Sequence, residues 1–225
     1  MPTQDRAIRT RRTILEAAAR VFESRGYRAA TISEILAAAG VTKGALYFHF
    51  ESKEALALGV RGEQDRKLTV PARAVKVQEF VDAMALHAHL LRTDPMVRAG
   101  ARLTLDQRAE DPDRAAVFLR RQQAGERLLR LAERQGELLP HVDPAGTARV
   151  ATGAFAGVQA MSEATTGYQD LPCQVTALLR HLLPNVVVPA VLVCVDLAET
   201  RGPSVHAEIV GAPRESAPAD FRPGP

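Results

Sequence analysis

Three times in this chain an Asp-Pro pair stands directly ahead of a run with helical apolar spacing: Asp94-Pro95, Asp111-Pro112 and Asp143-Pro144. An aspartate carboxylate can accept from the free N–H groups of a first helical turn, and proline fits that turn because the N–H it lacks would be unpaired there anyway. Repeated use of one helix-opening device commits the body of the chain to α-structure. The runs it opens are MVRAGARLTL, then RAAVFLRRQQAGERLLRLAERQ ending near Gly136, then AGTARVATGAFAGVQAMSEATT ending at Gly167. Upstream, residues 6–25 place Ile8, Ile14, Leu15, Ala18, Val21 and Phe22 on one stripe, with Gly26 as the stop. Phe80, Met84, His87, Leu90 and Leu91 mark a further helix; Pro172 to Leu183 reads as the penultimate helix and Pro189 to Glu199 as the last. Within that stretch VVVPAVLVCV fits a buried strand equally well by periodicity. No alternating strand pattern of useful length and no internal repeat is found. The expected fold is all-α.

A chain of 225 residues, 46% of them hydrophobic, can bury a real core in one large or two modest domains. It has no charge-free apolar run long enough to span a membrane, about 18 residues or more. Charges run through the first 25 residues, which leaves no apolar signal-peptide core. Cys173 and Cys194 cannot make a disulfide framework and have no zinc-ligand spacing. They read as buried apolar residues, and a reducing, cytoplasmic compartment is the default. Beyond Thr200 the composition changes: Pro203, Pro213, Pro218, Pro223 and Pro225 sit among Gly, Ser and Ala, so residues 201–225 read as a disordered tail.

Charge divides the chain unevenly. Residues 1–53 hold nine basic side chains against five acidic ones, whereas the remaining 172 hold 20 against 21. A basic N-terminal quarter on a near-neutral body suggests a module for a polyanion, either nucleic acid or an anionic membrane surface.

Residues 31–50 favour nucleic acid. Thr31 and Glu34 have capping-box spacing ahead of the short run TISEILAAA, Gly40 breaks the chain, and Thr42 caps a second short run, KGALYFHF. Two short helices joined by a glycine-containing turn make a helix-turn-helix unit. Ile32, Ile35, Leu36, Val41, Leu46 and Phe50 would hold the pair together and against the first helix. Thr42, Lys43, Gly44, Ala45, Tyr47 and His49 are then left outward on the second helix. Donors for base edges and phosphates, with a bare glycine for close approach, suit a helix in the major groove. Arg28, Thr31, Ser33 and Lys53 complete the expected DNA-contact set, the helix N-termini at Thr31 and Thr42 facing phosphates. Ser52 or Glu51 opens the next helix, running to about Leu68.

The run TISEILAAAGVTKGALYFHFESKEALA, preceded by AARVFESRGY, resembles the DNA-binding domain of TetR-family transcriptional repressors. GVTKGALYFHF followed by SKE is similar in particular to the γ-butyrolactone autoregulator receptors and their relatives, including pseudo-receptors. DPMVRAGARLTL, LLRLAERQGEL and LLPNVVVPAVL resemble that group's regulatory domain, so the likeness covers about residues 6–199. It implies a helix-turn-helix DNA-binding domain over residues 1–54 and a ligand-binding and dimerisation domain over 55–200. The implied partners are double-stranded operator DNA, a second copy of the chain and a small-molecule effector, lactone-like or another metabolite, with no cofactor. On a two-fold dimer the recognition helices match half-sites about 34–36 Å apart or a multiple of that. Ligand would move the connecting helix Ser52–Leu68 and loosen the operator, and secondary-metabolite or antibiotic genes are the expected targets.

The effector pocket is expected among Gln64, His87, Leu91, Phe118, Gln122, Phe155, Gln159 and Ser162, which combine apolar walls with a few polar groups. Phe118 and Phe155 fit plain core more readily, and His87 a satisfied or exposed histidine. His87 and His89 do not share a helical face, which argues against a metal pair. Lactone receptors carry a pocket tryptophan on the long central helix, whereas this chain has no Trp and offers Arg120 or Arg121 in the corresponding FLRRQQAG. Val117, Phe118, Ala124 and Leu128 define an apolar stripe that leaves both arginines off its centre, so solvent is their expected direction. The helix from Ala145 has small residues at Ala148, Ala151, Gly153, Ala154, Ala156, Gly157 and Ala160, fitting a close dimer contact or a close internal crossing.

Two other functions fit the sequence less well. A membrane-surface protein could use a basic amphipathic first helix, but residues 6–25 lack Trp and are interrupted by Glu16 and Glu23. An enzyme would need a catalytic motif, and no G-x-S-x-G, H-E-x-x-H or P-loop pattern is present.

Overall fold

The computed structural model describes residues 2–105 and 112–212. They form eleven α-helices: α1 (Pro2–Ala29), α2 (Ile32–Ala39), α3 (Lys43–His49), α4 (Lys53–Lys67), α5 (Lys76–Thr93), α6 (Pro95–Leu105), α7 (Pro112–Arg134), α8 (Pro144–Thr166), α9 (Leu171–Leu182), α10 (Pro189–Leu192) and α11 (Arg201–Gly211). Among the described residues there is no strand; Leu138 and Val187 make a lone antiparallel pairing. No described helix is long and apolar enough to cross a membrane.

The helix starts are set locally. Both halves of the α2 capping box form: Glu34 N donates to Thr31 Oγ1 at 3.2 Å, and Thr31 N donates to Glu34 Oε2 at 2.9 Å. Gly40 ends α2 at φ 64°, a left-handed conformation that a side chain would disfavour. Asp94 Oδ1 accepts from Met96 N at 2.8 Å, and the Asp143 carboxylate accepts from Ala145 N and Gly146 N at 3.2 and 2.8 Å. The third pair's aspartate, Asp111, lies outside the described residues. The first helix is longer than its apolar stripe, beginning at Pro2 and carrying one further turn past a kink at Gly26.

Two apolar cores result. One joins Ile14, Leu15 and Phe22 of α1 to Ile35 of α2, Leu46 of α3, Leu56 and Val60 of α4, and Met96, Ala99 and Leu103 of α6. The other is built by α5, α7, α8, α9 and α11 around Phe80, Leu86, Leu91, Leu129, Phe155 and Leu179. The first core therefore continues past residue 54 and takes in α6 from the larger half. Arg98 of α6 reinforces the junction: its Nε donates to the Glu23 carboxylate of α1, and its Nη1 to Arg92 O at 3.0 Å at the end of α5. Arg102 donates to the Glu23 carbonyl.

The last part of the chain departs from its sequence reading. Residues 201–211, expected to be disordered, form α11 packed on α5. Gly202 and Val205 are buried, and a Cβ at 202 would come within 2.8 Å of His89 Cβ, so the glycine permits close approach rather than marking a linker. Arg201 secures the helix by a two-point bond to the fully buried carboxylate of Asp82, Nε to Oδ1 at 2.7 Å and Nη2 to Oδ2 at 2.8 Å. Residues 213–225 of the expected tail lie outside the described residues. The helix expected over Pro189–Glu199 stops at Leu192. Asp196 N donates to Gln78 Oε1 at 2.7 Å and Ala198 N to Asp196 Oδ1 at 2.9 Å, so side chains take the N–H groups that a longer helix would have kept internal. Cys173 and Cys194, expected to be buried, are both free and exposed.

Candidate DNA interface and ligand cavity

The helix-turn-helix residues fall where their spacing puts them. Leu46 and Phe50 are buried, while Thr42, Lys43, Gly44 and Tyr47 are exposed and Ala45 and His49 half-buried. Thr42 Oγ1 accepts from Ala45 N at 3.3 Å, which orders the first turn of α3. Lys43 Nζ lies 5.9 Å from the centre of the Tyr47 ring, so the ammonium and the phenol share a face. A Cβ built on Gly44 meets nothing within 4 Å. Arg28, Thr31 and Ser33 are exposed beside α3. Glu34, the capping partner of Thr31, is held below the usual carboxylate range by the Thr31 backbone N–H and then by its hydroxyl.

Lys53 is more constrained than a free surface lysine. Its Nζ lies 4.5 Å from the centre of the Tyr27 ring and 3.4 Å from Arg28 O. Tyr27 Oη donates to Glu54 Oε1 at 2.9 Å. Hydrogen bonds from its own backbone N–H, from Tyr27 and from Ser52 hold the Glu54 carboxyl below its ordinary range. The end of α1 and the start of α4 are thereby locked together next to α3.

Phe48 went unread in the sequence. Its side chain is 80% exposed at the outer end of α3, edge-on to the His49 ring at 5.0 Å. The signal was present: Phe48 stands four residues after Gly44, hence on the same helical face. An exposed apolar ring on that face can meet a thymine methyl group.

The larger half contains a cavity of about 640 Å³ between α4, α5, α7 and α8. Of the eight residues expected in the effector pocket, His87, Phe118 and Phe155 line it, and the His87 ring stacks on Phe155 at 4.8 Å. Burial, and then the nearby Arg121 charge, hold the His87 pKa well below its usual value, so the imidazole is neutral at pH 7. The other five expected pocket residues are not in the lining. Gln64 turns against Gly100 of α6, and Leu91 is fully buried in the core. Gln159 is buried, and Ser162 donates to Asp170 at 2.5 Å. Gln122 is half-buried on α7, outside the wall. Each lies inward on a helix whose inward face is shared between core and cavity, a division that periodicity cannot express.

One of the two arginines departs from its expected direction, solvent. Arg120 is exposed and pairs with Asp65 at 3.6 Å, but Arg121 lines the cavity with Nε and Nη2 sealed from solvent. Burial pushes its pKa down to about 10, against the opposing effect of Asp65. The rest of the wall is mainly apolar, with Leu68 and Val70 after α4, Phe80 and Met84 of α5, and Leu128 of α7.

Comparison with known proteins gives a consistent picture. Residues 14–60 match the bacterial regulatory proteins of the tetR family. Over 199 residues, 85% of this chain and 69% of the other, the sequence is 40% identical to the A-factor receptor protein of Streptomyces griseus. The solved structure of TylP, a TetR regulator from Streptomyces fradiae, is 46% identical, with a TM-score of 0.82 over 90% of this chain and 98% of that one. A γ-butyrolactone receptor structure described as ArpA-like is 28% identical, with a TM-score of 0.68 over 90% of this chain and 99% of the other.

Proposed function

Because the chain belongs to the TetR family and is a ligand-responsive, DNA-binding transcriptional repressor rather than an enzyme, we propose that it grips a pseudo-palindromic operator as a homodimer. A small molecule in the 640 Å³ cavity releases it, and the controlled genes serve secondary metabolism or antibiotic production. The observation that carries this reading is the course of α4. Lys53, at its start, stands beside α3, while Asp65 and Leu68, at its end, are in the cavity wall. One rigid element thus touches both surfaces, and a ligand that shifts its far end re-aims the near one.

In this division of labour residues 1–54 meet DNA, with Arg28, Thr31, Ser33, Thr42, Lys43, Gly44, Ala45, Tyr47, His49 and Lys53 as contacts, and the helices beyond hold effector and partner subunit. The outward face of α8 suits the second copy. Ala148 and Ala151 point into the core, but Gly153, Gly157 and Ala160 are exposed beside Val150 and Met161, which are 61% and 70% exposed. Small residues between exposed apolar ones allow two helices to approach closely. Two-fold pairing would set the recognition helices for half-sites about 34–36 Å apart or a multiple of that. By linkage, operator and effector weaken each other's binding by the same factor.

The test is a mobility-shift titration with DNA from upstream of the chain's own gene, run beside flotation on anionic liposomes. A salt-sensitive, sequence-selective shift with no flotation supports the reading. Flotation without a selective shift would instead support the membrane-surface alternative.

A further inference from the structure

The cavity wall holds a guanidinium whose hydrogen bonds the fold leaves unmade. Arg121 Nε and Nη2 are cut off from solvent and have no hydrogen-bond partner among the described residues. A guanidinium stays protonated at neutral pH even with its pKa lowered to about 10. An unpaired buried cation is unfavourable and is kept where something else compensates it. Neither acid in the wall bonds to those atoms: Asp65 pairs with Arg120 at 3.6 Å and acts on Arg121 only through space, and Glu79 accepts from Lys76 Nζ at 2.7 Å and from Arg73 N at 2.8 Å. A third arginine, Arg127, also lines the cavity, and the remaining titratable group among the described residues of the wall, His87, is neutral, with its Nε2 likewise unpartnered.

The orphaned atoms are a matched pair. Nε–H and Nη2–H form one straight edge of the guanidinium fork, the edge that meets both oxygens of a carboxylate at once. The same protein uses that edge elsewhere, where Arg201 Nε and Nη2 hold the two oxygens of Asp82 at 2.7 and 2.8 Å. The same cavity wall carries the apolar side chains of Phe80, Met84, Phe118 and Leu128.

We propose that the effector is an amphiphilic organic anion whose carboxylate is taken side-on by Nε and Nη2 of Arg121 while its apolar body lies against Phe80, Met84, Phe118 and Leu128. This rests on the reading of the cavity as the effector site. Both nitrogens are covered by packing, so Arg121 turns about its terminal torsions to meet the anion. That turn disturbs the packing beside Asp65, at the cavity end of α4. His87 Nε2 serves a second polar group of the ligand.

Decanoate, methyl decanoate and γ-decalactone test this as probes of one chain length, with binding read by calorimetry and release from the operator fragment by mobility shift. The full-length protein should bind decanoate at least about tenfold more tightly than either neutral probe, because only a charged partner satisfies the fork. Arg121→Gln should lose that preference and keep its binding of the neutral probes. With no probe present, the same variant should melt at least ~2 °C higher, since it removes an unanswered charge. Three results would each overturn the proposal: decanoate binding no tighter than its ester, a preference that survives in Arg121→Gln, or a melting point that falls in that variant. Neutral probes that release the operator without any anion preference would leave the effector reading standing and remove this one. Arg121-dependent decanoate binding with no operator release would do the reverse.

Discussion

The side chain of Gln64 on α4 occupies the space directly over Gly100 on α6. A Cβ at position 100 would lie 2.7 Å from Gln64 Cδ and 3.0 Å from Gln64 Cβ, so the two helices meet with no room for a methyl group. Gln64 is buried, its Nε2 has no partner among the described residues, and the next residue, Asp65, is already in the cavity wall. The contact therefore fixes the height of α4 against α6 at the cavity end of the helix that leads to the DNA-binding face.

Gly100→Ala should consequently destabilise the protein by about 1–3 kcal/mol, the usual effect of overpacking, and should also alter operator affinity because α4 is displaced. Shortening the opposing side chain in the Gly100→Ala, Gln64→Ala double variant should recover most of the loss. A double-mutant cycle in urea measures this. Additive losses would show that the two positions do not press on each other.

What could be read from the sequence was mostly what is decided within one turn of helix. The Thr31–Glu34 box, the Asp94 and Asp143 caps and the turn at Gly40 all form from neighbours in the chain, and all are in place. The outward set on α3 follows from seven residues of helix with Leu46 inward. What escaped depends on distant partners. α11 is held by Asp82, 119 residues away from Arg201, and no local pattern announces that bond. Arg121 stands off the centre of its apolar stripe, but α7 packs against both α5 and α8, so more than one of its faces is enclosed. A residue beside the stripe then ends in the cavity wall instead of in solvent.

Lys43 and Lys53 should separate base reading from phosphate binding. Lys43 is exposed at the start of α3, and in the proposed docking it meets a guanine O6/N7 edge. Lys43→Ala should weaken the specific complex by ~1–3 kcal/mol and relax preference at one operator position. Lys53 is steadied on the Tyr27 ring, and in the proposed docking it meets a phosphate of the duplex. Lys53→Ala should weaken specific and random DNA alike and flatten the log–log salt dependence by about one unit. Equal loss of specific and random binding in Lys43→Ala would remove its base-reading role.

The open space at Gly44 makes a sharper test of how α3 docks. Because an added Cβ there meets nothing within 4 Å, Gly44→Leu should leave thermal unfolding nearly unchanged and abolish operator binding, the new bulk meeting DNA instead of core. Phe48→Ala, on the same face, should likewise spare stability, and should reduce binding most for operators that place a thymine beneath the ring. Normal operator affinity in Gly44→Leu would mean that another surface enters the groove.

Asp82 sets the acid limit of the fold. Its side chain is fully buried, and burial by itself would raise its pKa. Hydrogen bonds from Arg201, Gln78 and Arg73 outweigh that effect and hold the carboxyl below its ordinary value. A carboxylate depressed in the folded state contributes stability that is fully present above its unfolded pKa, about 3.9, and is lost as pH falls through the folded value. The contribution should thus be intact at neutral pH and disappear only below about pH 4. Asp82→Asn removes the buried counter-ion of Arg201 and Arg73, leaves them the more exposed Glu208, and should destabilise the protein by about 3 kcal/mol at pH 7, with α11 released first. The deficit relative to the parent chain should narrow as pH drops below 4, because the parent's own carboxyl is then protonated. Urea unfolding of both proteins between pH 7 and pH 3, with hydrogen exchange across residues 201–211, reads both effects. A deficit that stayed constant over that range would show that Asp82 acts through its shape and not through its charge.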